Sequence, residues 1–211
     1  MKYRAVIFDL DGVICHTDQY HYLAWKKVAD SLGIYFDEMI NNRLRGISRM
    51  KSLDIILTTY PGDLTKDMKQ YYSEKKNEYY RKLLQNMSPG DLSEEVYDTL
   101  DQIKSKGLKI AIGSSSKNAH FILEQLELVK TFHAISDGNN ITHSKPHPEV
   151  FLKASEYLNI PPPLCLVVED ALSGIQAAVA ANMDCAALGD GTKYKLATYD
   201  LVHFSDLLFI V

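Results

Sequence analysis

Beyond Leu92 the chain alternates between helical periodicity and short apolar runs. Helix-like Glu94 to Lys106 precedes Leu108 to Ile112, and helix-like Asn118 to Leu128 precedes Phe132 to Ile135. Helix-like Pro148 to Leu158 precedes Leu164 to Val168, and helix-like Leu172 to Asn182 precedes Cys185 to Leu188. With the N-terminal run Ala5 to Phe8, this βα alternation predicts an α/β fold whose parallel sheet is covered on both faces. The stretch from about His16 to Asn86 breaks the rhythm. It carries amphipathic helical patterns, such as Tyr22 to Leu32 and Lys66 to Leu84, joined by polar turns such as Tyr60 to Asp63, with little strand signal. An all-helical insert is therefore expected between the first strand and the rest of the α/β core. The expected division is core at 1–15, helical insert at 16–89 and the remainder of the core at 90–211. Ligands of open α/β sheets sit beyond the carboxyl ends of the strands, so an insert leaving from that edge is placed to cover them.

Composition narrows the class. The 211 residues are 46% hydrophobic and 24% charged with a formal net charge of −4, the balance of an ordinary globular protein. No stretch approaches the ~20 apolar residues that cross a bilayer, and Met1 to Arg4 leads into a run too short for a signal peptide. A cytoplasmic location is expected. Cys15, Cys165 and Cys185 are odd in number and widely spaced, which argues against a disulfide framework and fits buried thiols. The slight acidity and the lack of any Lys/Arg block argue against a nucleic-acid partner.

The strand ends carry the candidate chemistry. Asp9-Leu10-Asp11-Gly12 directly follows the first apolar run. Two carboxylates one residue apart in extended chain face the same way, an arrangement that is costly without a cation or a shared proton. It points to a metal with one carboxylate as nucleophile. The second strand run leads into Gly113 to Asn118, whose small hydroxyls and following helix start offer donors to an anion, although serines also cap helices. Lys145 sits beside Pro146 in the loop after the third run, and the fourth run ends in Glu169-Asp170. Acids at two strand ends, with hydroxyls and a lysine at two others, form a coherent site for Mg²⁺ and a phosphoryl group. The Asp9 and Asp11 pair opens no EF-hand, because Val13 to Cys15 lack the later ligands, and there is no nucleoside-triphosphate P-loop. His143 and His147 have a helical ligand spacing, but Pro146 argues against a helix there, so the pair is not read as a zinc site. Tyr71, Tyr72, Tyr79 and Tyr80 are expected to form a packing stripe with their hydroxyls at the surface.

In order and spacing, Asp9 to Val13, Ser114, Lys145-Pro146 and Glu169-Asp170 resemble the four motifs of the haloacid dehalogenase superfamily of phosphotransferases, and the resemblance covers essentially the whole chain. It implies a Rossmann-like core with an inserted all-helical cap domain. Further positions resemble cap and substrate contacts of the sugar-phosphomutase branch: Thr17, His21, Trp25, Arg45, Gly46, Ile47, Ser48, Arg49, Ser52, Lys76 and Asn77 in the insert, and Ser115, Ser116, Lys117 and Asn118 in the core. Arg45 stands where that branch leads one to expect lysine, which keeps the charge. His21 and Trp25, four apart on one helix face, also fit plain core packing.

By this resemblance Asp9 is the nucleophile that becomes an aspartyl phosphate. Mg²⁺ is held by Asp9, the backbone carbonyl of Asp11, Glu169 and Asp170. Lys145 and Ser114 steady the transferring oxygens, and Asp11 is the general acid and base. Arg49 with Ser116 to Asn118 would clamp a second, distal phosphate, with closure hinged near His16 to Thr17 and Met87 to Gly90. The resemblance thus implies exchange of β-glucose 1-phosphate and glucose 6-phosphate through a bisphosphate. The expected partners are small-molecule sugar phosphates bound by a monomer, with neither nucleic acid nor membrane. Two rival readings are a sugar-phosphate phosphatase of the same fold and a non-catalytic sugar-phosphate sensor. A dehalogenase is disfavoured, since that chemistry needs no acidic cluster at Glu169-Asp170.

Overall fold

The structure, a computed structural model, describes residues 2–45 and 47–211, leaving Met1 and Gly46 outside the described residues. Six strands form one sheet: β1 (Ala5–Phe8), β2 (Lys109–Gly113), β3 (Ala134–Ser136), β4 (Cys165–Glu169), β5 (Asp184–Ala187) and β6 (Tyr199–Asp200). Their order is β3-β2-β1-β4-β5-β6 and every pairing is parallel. The order reverses at β1, which lies between β2 and β4 in the centre of the sheet. That reversal is where a doubly wound sheet opens a crevice at its carboxyl edge.

Side-chain alternation divides the core into two layers. Val6 and Phe8 of β1, Ile110 and Ile112 of β2, and Leu166 and Val168 of β4 pack on one face with α5 (Glu94–Ser105), α6 (Ala119–Gln125) and the C-terminal Phe204 and Leu207. Ala5 and Ile7, Ala111, Cys165 and Val167 pack on the other with α7 (Glu149–Leu158) and α8 (Leu172–Ala180). All three cysteines are buried and free.

Between β1 and α5 lie α1 (Asp18–Ser31), α2 (Glu38–Asn42), α3 (Arg49–Ile56) and α4 (Lys66–Leu84). They share a hydrophobic cluster of their own, built from Trp25, Val28, Ala29, Ile34, Phe36, Leu44, Leu53 and Ile56. The boundaries of α4 coincide with the expected ones, and Thr65 caps it by accepting from the Met68 N–H. Helix α1 begins at Asp18, four residues before the expected Tyr22. The hydroxyl of Thr17, which would normally accept from the first turn, makes no cap hydrogen bond and is spent on Asp11 instead. Helix α6 is shorter than its periodicity suggested. The chain turns at Glu127 with a φ of 57°, and the Leu128 N–H closes back on Leu123. No helix among the described residues is long and apolar enough to cross a membrane.

Candidate active site

Register brings the acids together. The pair Phe8 and Val168 stand opposite each other at the ends of β1 and β4, and the Asp9 N–H donates to the Val168 carbonyl at 2.9 Å. Asp9 therefore leaves the sheet beside Glu169, the last residue of β4, and Asp170. One carboxylate oxygen from each of the three buried residues lies within 4.8 Å of the others. Lys145, buried to 2% exposure, bridges two of them, with Nζ 2.5 Å from Asp9 Oδ1 and 2.6 Å from Glu169 Oε1. The other oxygen of Glu169 accepts the Asp170 and Ala171 N–H groups at 2.9 and 3.0 Å. Burial opposes the Lys145 charge, but the Asp9 and Glu169 carboxylates outweigh it and hold the ammonium above its ordinary value.

Two glycines make room for this cluster. Gly12, at a φ of +94°, sits where an added Cβ would collide with the Asp170 carboxylate. Gly174, in the first turn of α8, leaves the space that the Glu169 carboxylate fills. Alanine would otherwise favour the helix, so glycine at 174 serves the site.

Asp11 plays a different part. Its side chain lines the same cavity as Asp9 but does not belong to the three-carboxylate group, and Oδ1 accepts the Thr17 hydroxyl. Burial, then the Asp9 charge, pushes its carboxyl up to about 6, with the Thr17 hydrogen bond pulling the other way. A carboxyl that titrates near 6 reaches both protonation states close to neutral pH, which suits proton transfer in both directions.

The cavity has a volume of about 910 Å³ and lies between the strand ends and α1 to α4. Among the predicted residues, Asp9, Asp11, His21, Trp25, Ile47, Arg49, Ser52, Lys76, Ser114, Ser115, Ser116, Lys117, Asn118, Lys145, Glu169 and Asp170 all line it. Thr17 does not. It is 1% exposed and reaches the site only through Asp11. Gly46 falls outside the described residues. Three lining residues are also engaged elsewhere. Trp25 belongs to the helical cluster, the Ser52 hydroxyl donates back to the Ser48 carbonyl at 3.1 Å, and Asn118 Nδ2 donates to Asn77 Oδ1 of α4 at 2.9 Å.

The serines after β2 accept backbone N–H groups. Ser114 Oγ accepts from Ser116 and Ser116 Oγ from Asn118, each at 3.1 Å, and Ser115 Oγ accepts from Lys145 at 3.2 Å. Accepting leaves each hydroxyl proton free to donate to a phosphate oxygen. On the helical side His21 Nδ1 lies 2.8 Å from Lys76 Nζ. Burial, then the Lys76 and Arg49 charges, hold His21 well below the usual imidazole range, so the ring is neutral and accepts from Lys76. Lys76 Nζ also lies 4.1 Å from the centroid of Tyr80, and burial, then the Arg49 charge, holds its ammonium well below the usual lysine range. Tyr80 departs from the expected surface stripe: it is 1% exposed and its hydroxyl has no hydrogen-bond partner among the described residues.

Several lining residues escaped the sequence reading. Gln70 and Ser73 face the cavity from α4 together with Lys76; their spacing of three along one helix face was the available signal. Arg45 reaches further than its charge suggested, contacting Asp18 at 2.6 Å and Asp170 and Asp190 at 3.1 Å. Nothing local in the sequence marks Asp190 as its partner.

The profile of the haloacid dehalogenase-like hydrolases matches residues 6–188. The chain belongs to the haloacid dehalogenase-like hydrolase family. Within this family it is 42% identical to β-phosphoglucomutase from Bacillus subtilis, over 97% of this chain and 91% of that one. It is 32% identical to a phosphorylated carbohydrates phosphatase from Thermotoga maritima, over 86% and 82%. A crystal structure of β-phosphoglucomutase from Clostridium difficile superposes with a TM-score of 0.92 at 38% identity, covering 99% of this chain and 95% of the other. A haloacid dehalogenase-like chain that resembles both a mutase and a phosphatase leaves the acceptor of the phosphoryl group to be argued from the cavity.

The cluster fits a hard divalent cation. Three buried carboxylates face a single ammonium from the core, and burial, then the Glu169 and Asp9 charges, push the Asp170 carboxyl up to about 8, with Arg45 offsetting part of the rise. Oxygen-only donors with surplus negative charge suit Mg²⁺ better than softer metals.

Proposed function

We propose that this protein is a Mg²⁺-dependent β-phosphoglucomutase, interconverting β-D-glucose 1-phosphate and glucose 6-phosphate through β-glucose 1,6-bisphosphate and an aspartyl-phosphate enzyme. The observation that carries the reading is a single cavity lined by two sets of groups whose chemistry suits phosphate. Asp9, Lys145, Ser114, Glu169 and Asp170 lie at the carboxyl edge of the sheet, while Arg49, Lys76, Ser116, Lys117 and Asn118 also line the walls. A phosphatase needs only the first set. A mutase must hold a sugar by a phosphate at each end in turn. The 42% identity to a mutase, against 32% to a phosphatase, supports the same choice.

In this reading a carboxylate oxygen of Asp9 attacks phosphorus. Lys145 holds that carboxylate in place and, with the Ser114 hydroxyl, steadies the transferring oxygens. Asp9, Glu169, Asp170 and the backbone carbonyl of Asp11 would hold Mg²⁺, which when bound offsets the repulsion between nucleophile and phosphate. Asp11 gives its proton to the leaving sugar oxygen and takes one from the hydroxyl that attacks the phosphoenzyme. Thr17 orients it. Arg49, with its planar fork of donors, and Ser116 to Asn118 hold the non-reacting phosphate. Residues 16–89 act as a cap over a core made of 1–15 and 90–211, and their closure keeps water from the aspartyl phosphate. A cytoplasmic setting accords with three free cysteines.

The test supplies β-glucose 1-phosphate, Mg²⁺ and a trace of glucose 1,6-bisphosphate, and follows glucose 6-phosphate and inorganic phosphate together. Isomerisation with little phosphate release is expected, the α-anomer should be a poor substrate, and Asp9→Asn should be inactive. Phosphate release without isomerisation would establish the phosphatase instead.

A further inference from the structure

The loop between β3 and α7 carries a second group of metal-binding side chains. His143, His147 and Glu149 each offer a ligand atom within 4.8 Å of the other two. The imidazole centroids are 4.6 Å apart, and His143 Nδ1 is 3.2 Å from Glu149 Oε2. Pro146 keeps these residues out of a helix, as their sequence implied, and α7 begins only at Glu149. A turn, with the His147 N–H closing on the Ser144 carbonyl at 3.1 Å, gathers them all the same. We propose that His143, His147 and Glu149 bind a transition-metal dication of the Zn²⁺ class at the rim of the active cavity.

The site is pre-organised on its carboxylate side. Glu149 Oε1 accepts the Thr142 N–H at 3.0 Å and Oε2 accepts the His143 N–H at 2.8 Å. Each carboxylate oxygen has two lone pairs, so this anchoring leaves one on each for a metal. The backbone beneath the rings is held as well. Lys145 between them is tied through its N–H to Ser115 Oγ and through its ammonium to Asp9 and Glu169, and Pro146 and Pro148 restrict φ on either side. The histidines are exposed, so their rings can turn the short distance from their present spacing to that of metal ligands. On binding, the His143 contact to Glu149 and the 3.3 Å contact of His147 Nδ1 with the Glu149 N–H give way to metal bonds. Two imidazoles and one carboxylate select Zn²⁺, Co²⁺ or Ni²⁺ over Mg²⁺. The two cation sites of this chain therefore differ in chemistry: oxygen donors at the strand ends, nitrogen and oxygen donors at the rim.

Zinc titration by calorimetry, in Mg²⁺ excess to fill the oxygen site, tests this directly. The unmodified protein should bind one Zn²⁺, and Co²⁺ in its place should develop visible absorption. His143→Ala and His147→Ala should each weaken binding roughly ten-fold or more, the loss that even an outer-shell partner of a metal ligand causes. Asp170→Asn should leave it in place. Absence of a zinc site in the unmodified protein, an unchanged isotherm in both histidine variants, or loss only in Asp170→Asn would overturn the proposal.

Discussion

Thr17 shows how one hydroxyl couples helix start and chemistry. By donating to Asp11 it stabilises the charged carboxylate and offsets part of the rise by which burial and the Asp9 charge bring that carboxyl to about 6. Thr17→Val keeps the volume and removes the donor, so the Asp11 titration should move to higher pH. Carbon-detected NMR of the carboxyl group reads this directly, and a midpoint that stays put or falls would contradict the assignment. The sequence showed the threonine but gave it a substrate contact. The structure shows it bonded to Asp11 and off the cavity wall, a contact that no spacing rule encodes. Asp9, Asp11, Lys145, Glu169 and Asp170 were legible because strand ends can be found from apolar runs. Arg45 was legible as a charge and not as the link between Asp18, Asp170 and Asp190, because those partners lie far apart along the chain.

At the level of elements, helix α8 and the helical cluster make opposite predictions. Gly174→Ala should gain up to about 1 kcal/mol of helix propensity, yet its methyl group would occupy the place of the Glu169 carboxylate. Weaker Mg²⁺ binding by calorimetry is expected in a variant that remains folded. Unaltered Mg²⁺ affinity would mean that Glu169 can shift without consequence. Leu53, fully buried between α3 and its neighbours, should cost about 3 kcal/mol when cut to alanine, seen as a lower denaturation midpoint. Element existence was readable where periodicity is strong, as in α4, whereas the short α2 and α3 and the two-residue edge strand β6 carried too little pattern to be named. Element ends were less so: α1 starts at Asp18, ahead of the amphipathic pattern, and the short α6 stops where the chain turns at Glu127.

For the whole molecule, the cavity has one wall from the strand ends and one from α1 to α4, tied across by Asn118 with Asn77 and by Arg45 with Asp170 and Asp190. Trp25 is the sole tryptophan; it is buried on the helical side with Lys76 Nζ 5.3 Å from its ring. A phosphate placed against Lys76 should draw that cation away, so a sugar bisphosphate should change Trp25 fluorescence, and Lys76→Ala should abolish the change. A spectrum indifferent to the ligand in the unmodified protein would argue against engagement of this wall. The sheet order carries a last consequence, for the chain as it is made. The strand that delivers Asp9 is synthesised first, yet its neighbours β2 and β4 begin only at Lys109 and Cys165. At about 5–20 residues per second, β1 waits roughly ten to thirty seconds on the ribosome for both. The helical cluster, whose buried members all fall between Trp25 and Ile56, is complete long before. Nascent chains should therefore become protease-resistant first in the helical segment, with β1 protected only after β4 has been made.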